Sequence, residues 1–152
     1  MKSLTRAILW GGLLAGSGDL VFAFGYYGMS LRVFQTVAAG LIGKEAAFGG
    51  GAATFALGVV LHYGIALIWA GIFCFAALRL PALLRSASVA GLAYGLVVYF
   101  GMNTLVLPLS ALHTPFWPPK LDAAAIAAHC VLFGFPIALV ARRCMLGGPA
   151  RS

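Results

Sequence analysis

Four long apolar runs decide what this chain can become. Residues 7–31 are interrupted only by Asp19, and residues 46–78, 86–119 and 123–141 contain no Lys, Arg, Asp or Glu at all. Each run offers the roughly 20 residues that a helix rising about 1.5 Å per residue needs to cross a hydrocarbon core of about 30 Å. A composition of 62% hydrophobic and 9% charged residues leaves too little polar surface to cover a water-soluble core. The pattern predicts an all-α protein: a single transmembrane domain over residues 1–152, a four-span helical bundle with spans at 7–29, 52–79, 89–107 and 122–143. These spans use most of the chain and leave no room for a second domain.

The net charge of +7 reads as a topology signal. An even number of spans puts both termini on one side, together with Lys2, Arg6, Arg79, Arg85, Arg142, Arg143 and Arg151; the opposite side receives Arg32, Lys44 and Lys120. That bias predicts cytoplasmic termini in a bacterial inner membrane. Nucleic acid is not expected as a partner; the lipid bilayer is, and the glycine-lined spans also permit a homo-oligomer. Lys2 and Arg6 before an apolar stretch, with Val21-Phe22-Ala23, resemble a secretory signal, but Asp19 interrupts it and the apolar character continues to Met29, so the first span is expected to be retained. Cys74, Cys130 and Cys144 show no C-x-x-C spacing and read as small buried hydrophobes.

Small residues mark helix contacts. Gly12 and Gly16 stand four apart in span one, where Ala15, Asp19 and Ala23 share a face; Gly91 and Gly95 repeat the spacing in span three. Between spans one and two, Leu31, Phe34, Ala38, Leu41 and Ile42 recur at helical spacing. They predict a short interfacial helix, acting as a membrane-surface anchor or as a lid, with Gly49-Gly50-Gly51 as a hinge. Pro81 belongs to a tight turn at 81–88. Pro108 opens a proline-rich loop at 108–122 that carries Phe116 and Trp117, Asp122 caps span four, and Pro136 is expected to kink it.

Polar residues inside these runs are the candidates for function, because an ionisable group in hydrocarbon is costly and usually turns inward to a partner. Each span supplies at least one: Asp19, His62, Tyr99 with Asn103, and His129. Counting residues from the outer ends sets Asn103 and His129 at roughly 8–10 Å depth and Asp19 and His62 at roughly 15 Å. The acids share the bias, with Glu45 and Asp122 outside and Asp19 at mid-depth. A shared polar pocket open outward accounts for this distribution, with Asp19, His62, Tyr99, Asn103 and His129 as its ligand-binding residues.

The stretch at 55–62 ending on His62, Leu107-Pro108-Leu109 with the following Pro-aromatic loop, and Ala128-His129 leading to Arg142-Arg143 resemble the YagU-type family of uncharacterised bacterial inner-membrane proteins. The likeness covers spans two to four, about two thirds of the chain, and span one matches weakly, which leaves Asp19 outside it. It implies a multi-span inner-membrane protein with these histidine positions and no assigned reaction.

The leading expectation is proton-linked handling of a small solute or cation. Imidazole changes charge near neutrality, so Asp19 would accept a proton, His62 and His129 would act as ligands or relays, and Asn103 would orient as a donor. An acid in the first helix also resembles small multidrug exporters, whose dual orientation the charge bias opposes. The alternatives are a b-type haem between His62 and His129, zinc held by His62, His129 and Asp19, or a structural subunit of a membrane complex. No H-E-x-x-H, G-x-S-x-G or phosphate loop is present, so conventional hydrolysis is the least expected outcome, and the absence of a cofactor is expected ahead of haem or zinc.

Overall fold

The computed structural model describes residues 2–118 and 120–147, without the Lys2 side chain. Arg151 of the charge bias and Pro119 of the proline-rich loop lie outside the described residues. Within them no strand occurs, and four helices are long and apolar enough to cross a membrane. They are α1 (Lys2–Tyr27), α4 (Gly51–Arg79), α6 (Ala87–Leu109) and α7 (Ala123–Leu146), with α2 (Arg32–Ile42) and α3 (Lys44–Gly49) between the first two and the single turn α5 (Ala82–Arg85) after the second. The chain is an integral membrane protein. Helices satisfy every backbone group internally, which hydrocarbon requires, and large apolar side chains such as Val21, Val60, Ile68 and Val89 face outward, where lipid meets them.

The bundle is an arc in which α1 packs between α4 and α7, and α7 between α1 and α6. Small residues make these contacts possible. A Cβ on Gly12 would meet Leu67 and Ala66 of α4, and one on Gly18 would meet the Leu132 carbonyl of α7, so α1 is stripped on two faces. Gly91 and Gly95 lie in the same way on Phe135 and Cys130 of α7. Between α4 and α6 the spacing is filled by side chains: the Tyr94 hydroxyl donates to the Trp69 carbonyl (2.6 Å), Trp69 Nε1 donates to Met102 Sδ (3.4 Å), and the Phe73 and Tyr94 rings meet at 5.0 Å.

One correction concerns a proline. Pro108 does not begin a loop; it is buried in the last turn of α6. Pro136 stands inside α7, two residues past a widened turn. A proline lacks an N–H and crowds the carbonyl four residues back, and the turn before each one widens to π geometry, over Met102–Val106 and His129–Gly134. There Leu107 N–H bonds the Met102 carbonyl and Phe135 N–H the Cys130 carbonyl, each five residues back.

The helix after span one is more than a surface anchor. Phe34 sets its backbone against Gly58 of α4 and its ring edge-on to Phe24, Phe55 and His62. Ala38 and Ala39 are buried with Ala47, and the Gly40 carbonyl accepts from Ala111 N–H at 2.8 Å. Gly43, at φ +80, makes the left-handed break to α3 that an L side chain would resist. The triglycine segment is not a free hinge, because Thr54 Oγ1 donates to the Ala47 carbonyl (2.6 Å) and Gln35 Nε2 donates to Thr54 Oγ1 and the Gly51 carbonyl (3.2 Å each).

Candidate functional site

At the end of the bundle away from the termini, α1, α4, α6 and α7 part around a cavity of about 670 Å³, and α2 forms a further wall. Asp19, His62, Tyr99, Asn103 and His129 all line it. The layer of Trp69, Tyr94 and Met102 lies beneath it toward the termini.

The closest functional contact joins α1 to α7. His129 Nδ1 donates to the Ala125 carbonyl one turn back (2.8 Å), and this bond aims Nε2 at Asp19 Oδ1, 3.9 Å away. Tyr99 edge-on at 5.4 Å and Phe133 stacked at 6.0 Å hold the imidazole plane. With Nδ1 carrying its proton, a neutral His129 presents a lone pair to a carboxylate. That meeting is repulsive until a proton or another cation enters between them. The two side chains are 19% and 22% exposed, so the pair is open to the cavity rather than sealed.

Depth counting separated these two residues by about 5 Å; the structure makes them neighbours. The physical reason is where the spans end. Helix α1 stops at Tyr27, short of Met29, and the Tyr26 hydroxyl donates to Asp122 at 3.3 Å. Seven residues separate Asp19 from Tyr26 and also Asp122 from His129, so the antiparallel helices meet in register twice.

His62 is held differently. Its Nε2 donates to the Gly16 carbonyl of α1 (2.9 Å), which leaves Nδ1 as the free acceptor, and Phe34 and Tyr63 flank the ring at 5.9 and 5.3 Å. Asn103 donates one of its two amide N–H groups to the Tyr99 carbonyl (2.9 Å), which leaves the second N–H and the amide oxygen. The Tyr99 hydroxyl is likewise committed: it donates to the Lys120 carbonyl (2.8 Å) and accepts from Asp122 N–H (3.1 Å), clasping the loop to α6.

Asp122 caps α7 as expected, its carboxylate accepting from Ala125 N–H at 3.0 Å. That bond first, then the Tyr26 hydroxyl and the nearby Lys120 charge, hold its carboxyl below the usual carboxylate range against a partial loss of hydration.

No family model, characterised protein or solved structure matches the chain.

The cofactor alternatives fit the donor set poorly. Among the described residues no group of three or more His, Cys, Asp or Glu is placed to hold a metal ion, which removes the zinc set of Asp19, His62 and His129. For haem, His62 would have to ligate through Nδ1, the nitrogen nearer its own backbone, because Nε2 is bound to Gly16. Sequence reasoning missed Arg32 and Lys120 as cavity residues, having treated them only as orientation charges. A signal existed for Arg32: it lies on the helix that can act as a lid over the polar layer.

Proposed function

We propose that this integral membrane protein takes up a proton together with a small solute in the α2-covered cavity, from the periplasmic side of a bacterial inner membrane. The bias of Lys and Arg toward the side of the termini supports that orientation, with both termini cytoplasmic, and the likeness to YagU-type proteins supports the location. The observation that carries the reading is the facing of His129 Nε2 and Asp19 Oδ1 at 3.9 Å with Nδ1 already bonded, ion-pair distance for an imidazole that gains a proton at Nε2. The charged and titratable groups around the pair, namely His62, Arg32, Lys120, Asp122, Tyr27 and Tyr99, line the same space. A layer of aromatic rings below the cavity favours alternating exposure over an open pore.

The test is proton entry into sealed vesicles carrying the purified protein, followed with a trapped pH dye under an imposed acid-outside gradient. Loss of the shared proton site in Asp19→Asn is expected to slow entry about tenfold, the equivalent of roughly 1.4 kcal/mol. Equal rates in the wild type and Asp19→Asn, with equal amounts of folded protein, overturn the proposal.

A further inference from the structure

The cavity carries two cations that the Asp19–His129 pair does not use. Arg32, opening α2, and Lys120, just ahead of Asp122, both line it. Among the described residues neither has a carboxylate within ion-pair distance; the Asp19 carboxylate faces His129 instead. Asp122 is close enough to Lys120 to feel its charge, but its oxygens are engaged by Ala125 N–H and the Tyr26 hydroxyl. The Arg32 guanidinium carbon lies over the Phe48 ring at 5.8 Å, a contact that takes up none of its N–H donors in a hydrogen bond. The same lining includes the apolar side chains of Leu20, Phe34 and Met102.

We infer that the ligand is a small amphipathic carboxylic acid. Its carboxylate sits on Arg32 and Lys120, and its apolar body lies along Leu20, Phe34 and Met102. A guanidinium fork matches the two oxygens of a carboxylate in plane, and a cavity of about 670 Å³ falls in the range that holds metabolite-sized molecules. This deepens the proposal above and rests on it for the proton: an anion arriving with a proton on the Asp19–His129 pair adds no net charge to the cavity. An organic cation would meet the two basic groups first.

Calorimetry on the protein in lipid nanodiscs, with empty nanodiscs as the blank for partition into lipid, compares hexanoate, hexanol and hexyltrimethylammonium. Hexanoate is expected to bind at least about tenfold more tightly than hexanol. Arg32→Gln and Lys120→Gln are each expected to weaken hexanoate about tenfold, as removal of a charge-assisted hydrogen bond does, and to leave hexanol unchanged. Both side chains are exposed, and an unchanged helical circular dichroism spectrum establishes that the variants fold. Preference for hexyltrimethylammonium, or hexanoate affinity that ignores both substitutions, overturns the inference. Proton entry separates it from the earlier proposal: hexanoate binding without accelerated proton entry removes the proton reading and leaves the anion site, whereas Asp19-dependent entry without hexanoate binding removes the anion site alone.

Discussion

Toward the termini the four spans touch through alanine and glycine, whereas toward the loops they part around a cavity. The first region buries Ala7, Ala70, Ala77, Ala138 and Ala141 with Phe73, Cys74 and Ile137. The second contains both π turns, the α2 wall and all five polar candidates. Apolar residues are plentiful in both, so hydrophobicity does not distinguish them. In lipid, large apolar side chains gain little by leaving the tails, and solid packing comes from small residues that let backbones approach. Around the His129–Gly134 turn α6 and α7 still approach closely, Gly95 on Cys130 and Gly134 on Gly91, and the cavity opens on the side lined by Asp19, Tyr99 and His129.

The largest effect should come from filling a close approach. A Cβ on Gly91 would lie 2.7 Å from Phe135 Cα and 2.9 Å from Ala138 Cβ, leaving nowhere for a longer side chain. Gly91→Leu is expected to cost about 3 kcal/mol or more and to lower the thermal midpoint in detergent, while Gly25→Ala, with nothing within 4 Å, leaves it unchanged or raised. Equal losses in the two would mean that glycine packing does not set the solid half apart.

The spans were legible because crossing a membrane demands length and apolarity, both properties of consecutive residues. The five candidates were legible for the converse reason: an isolated polar group in such a run stands out. What could not be read is how helices far apart in sequence slide against one another. Asp19 and His129 looked offset because span one was carried to Met29; the Tyr26–Asp122 contact and the seating of Gly18 on Leu132 fix the register. Hydrogen-bond commitments were equally hidden. Nothing local says that Tyr99 spends its hydroxyl on a loop 21 residues later, or that Gln35 and Thr54 bury each other's polarity. Arg32 and Lys120 were counted by side of membrane, which says nothing about whether they face a cavity.

A smaller effect, confined to the open half, is expected from Tyr99→Phe. The ring against His129 remains, but the hydroxyl that donates to the Lys120 carbonyl and accepts from Asp122 N–H is lost. Two ordinary hydrogen bonds amount to about 1–2 kcal/mol in total. Hydrogen exchange should accelerate over residues 120–124 while amides near Phe73 and Ile137 keep their protection. Acceleration spread evenly over both regions would show that the halves unfold together and are not separable units.

The smallest effect belongs to Asp122→Asn, which keeps an oxygen to accept from Ala125 N–H and removes only the charge. Because the carboxyl is held below the usual carboxylate range in the folded protein, its ionised form stabilises the fold above that range, and the contribution disappears as pH falls through the lowered value. The wild type should therefore have the higher thermal midpoint at neutral pH, with the gap closing as acid takes the carboxyl through its lowered value. High salt should narrow it as well, since the charge acts on an exposed helix end and on Lys120 through screened solvent. A gap that widens in acid would mean that the cap is not ionised when it holds α7, and that the helix start over the cavity depends on Tyr26 and Tyr99 instead.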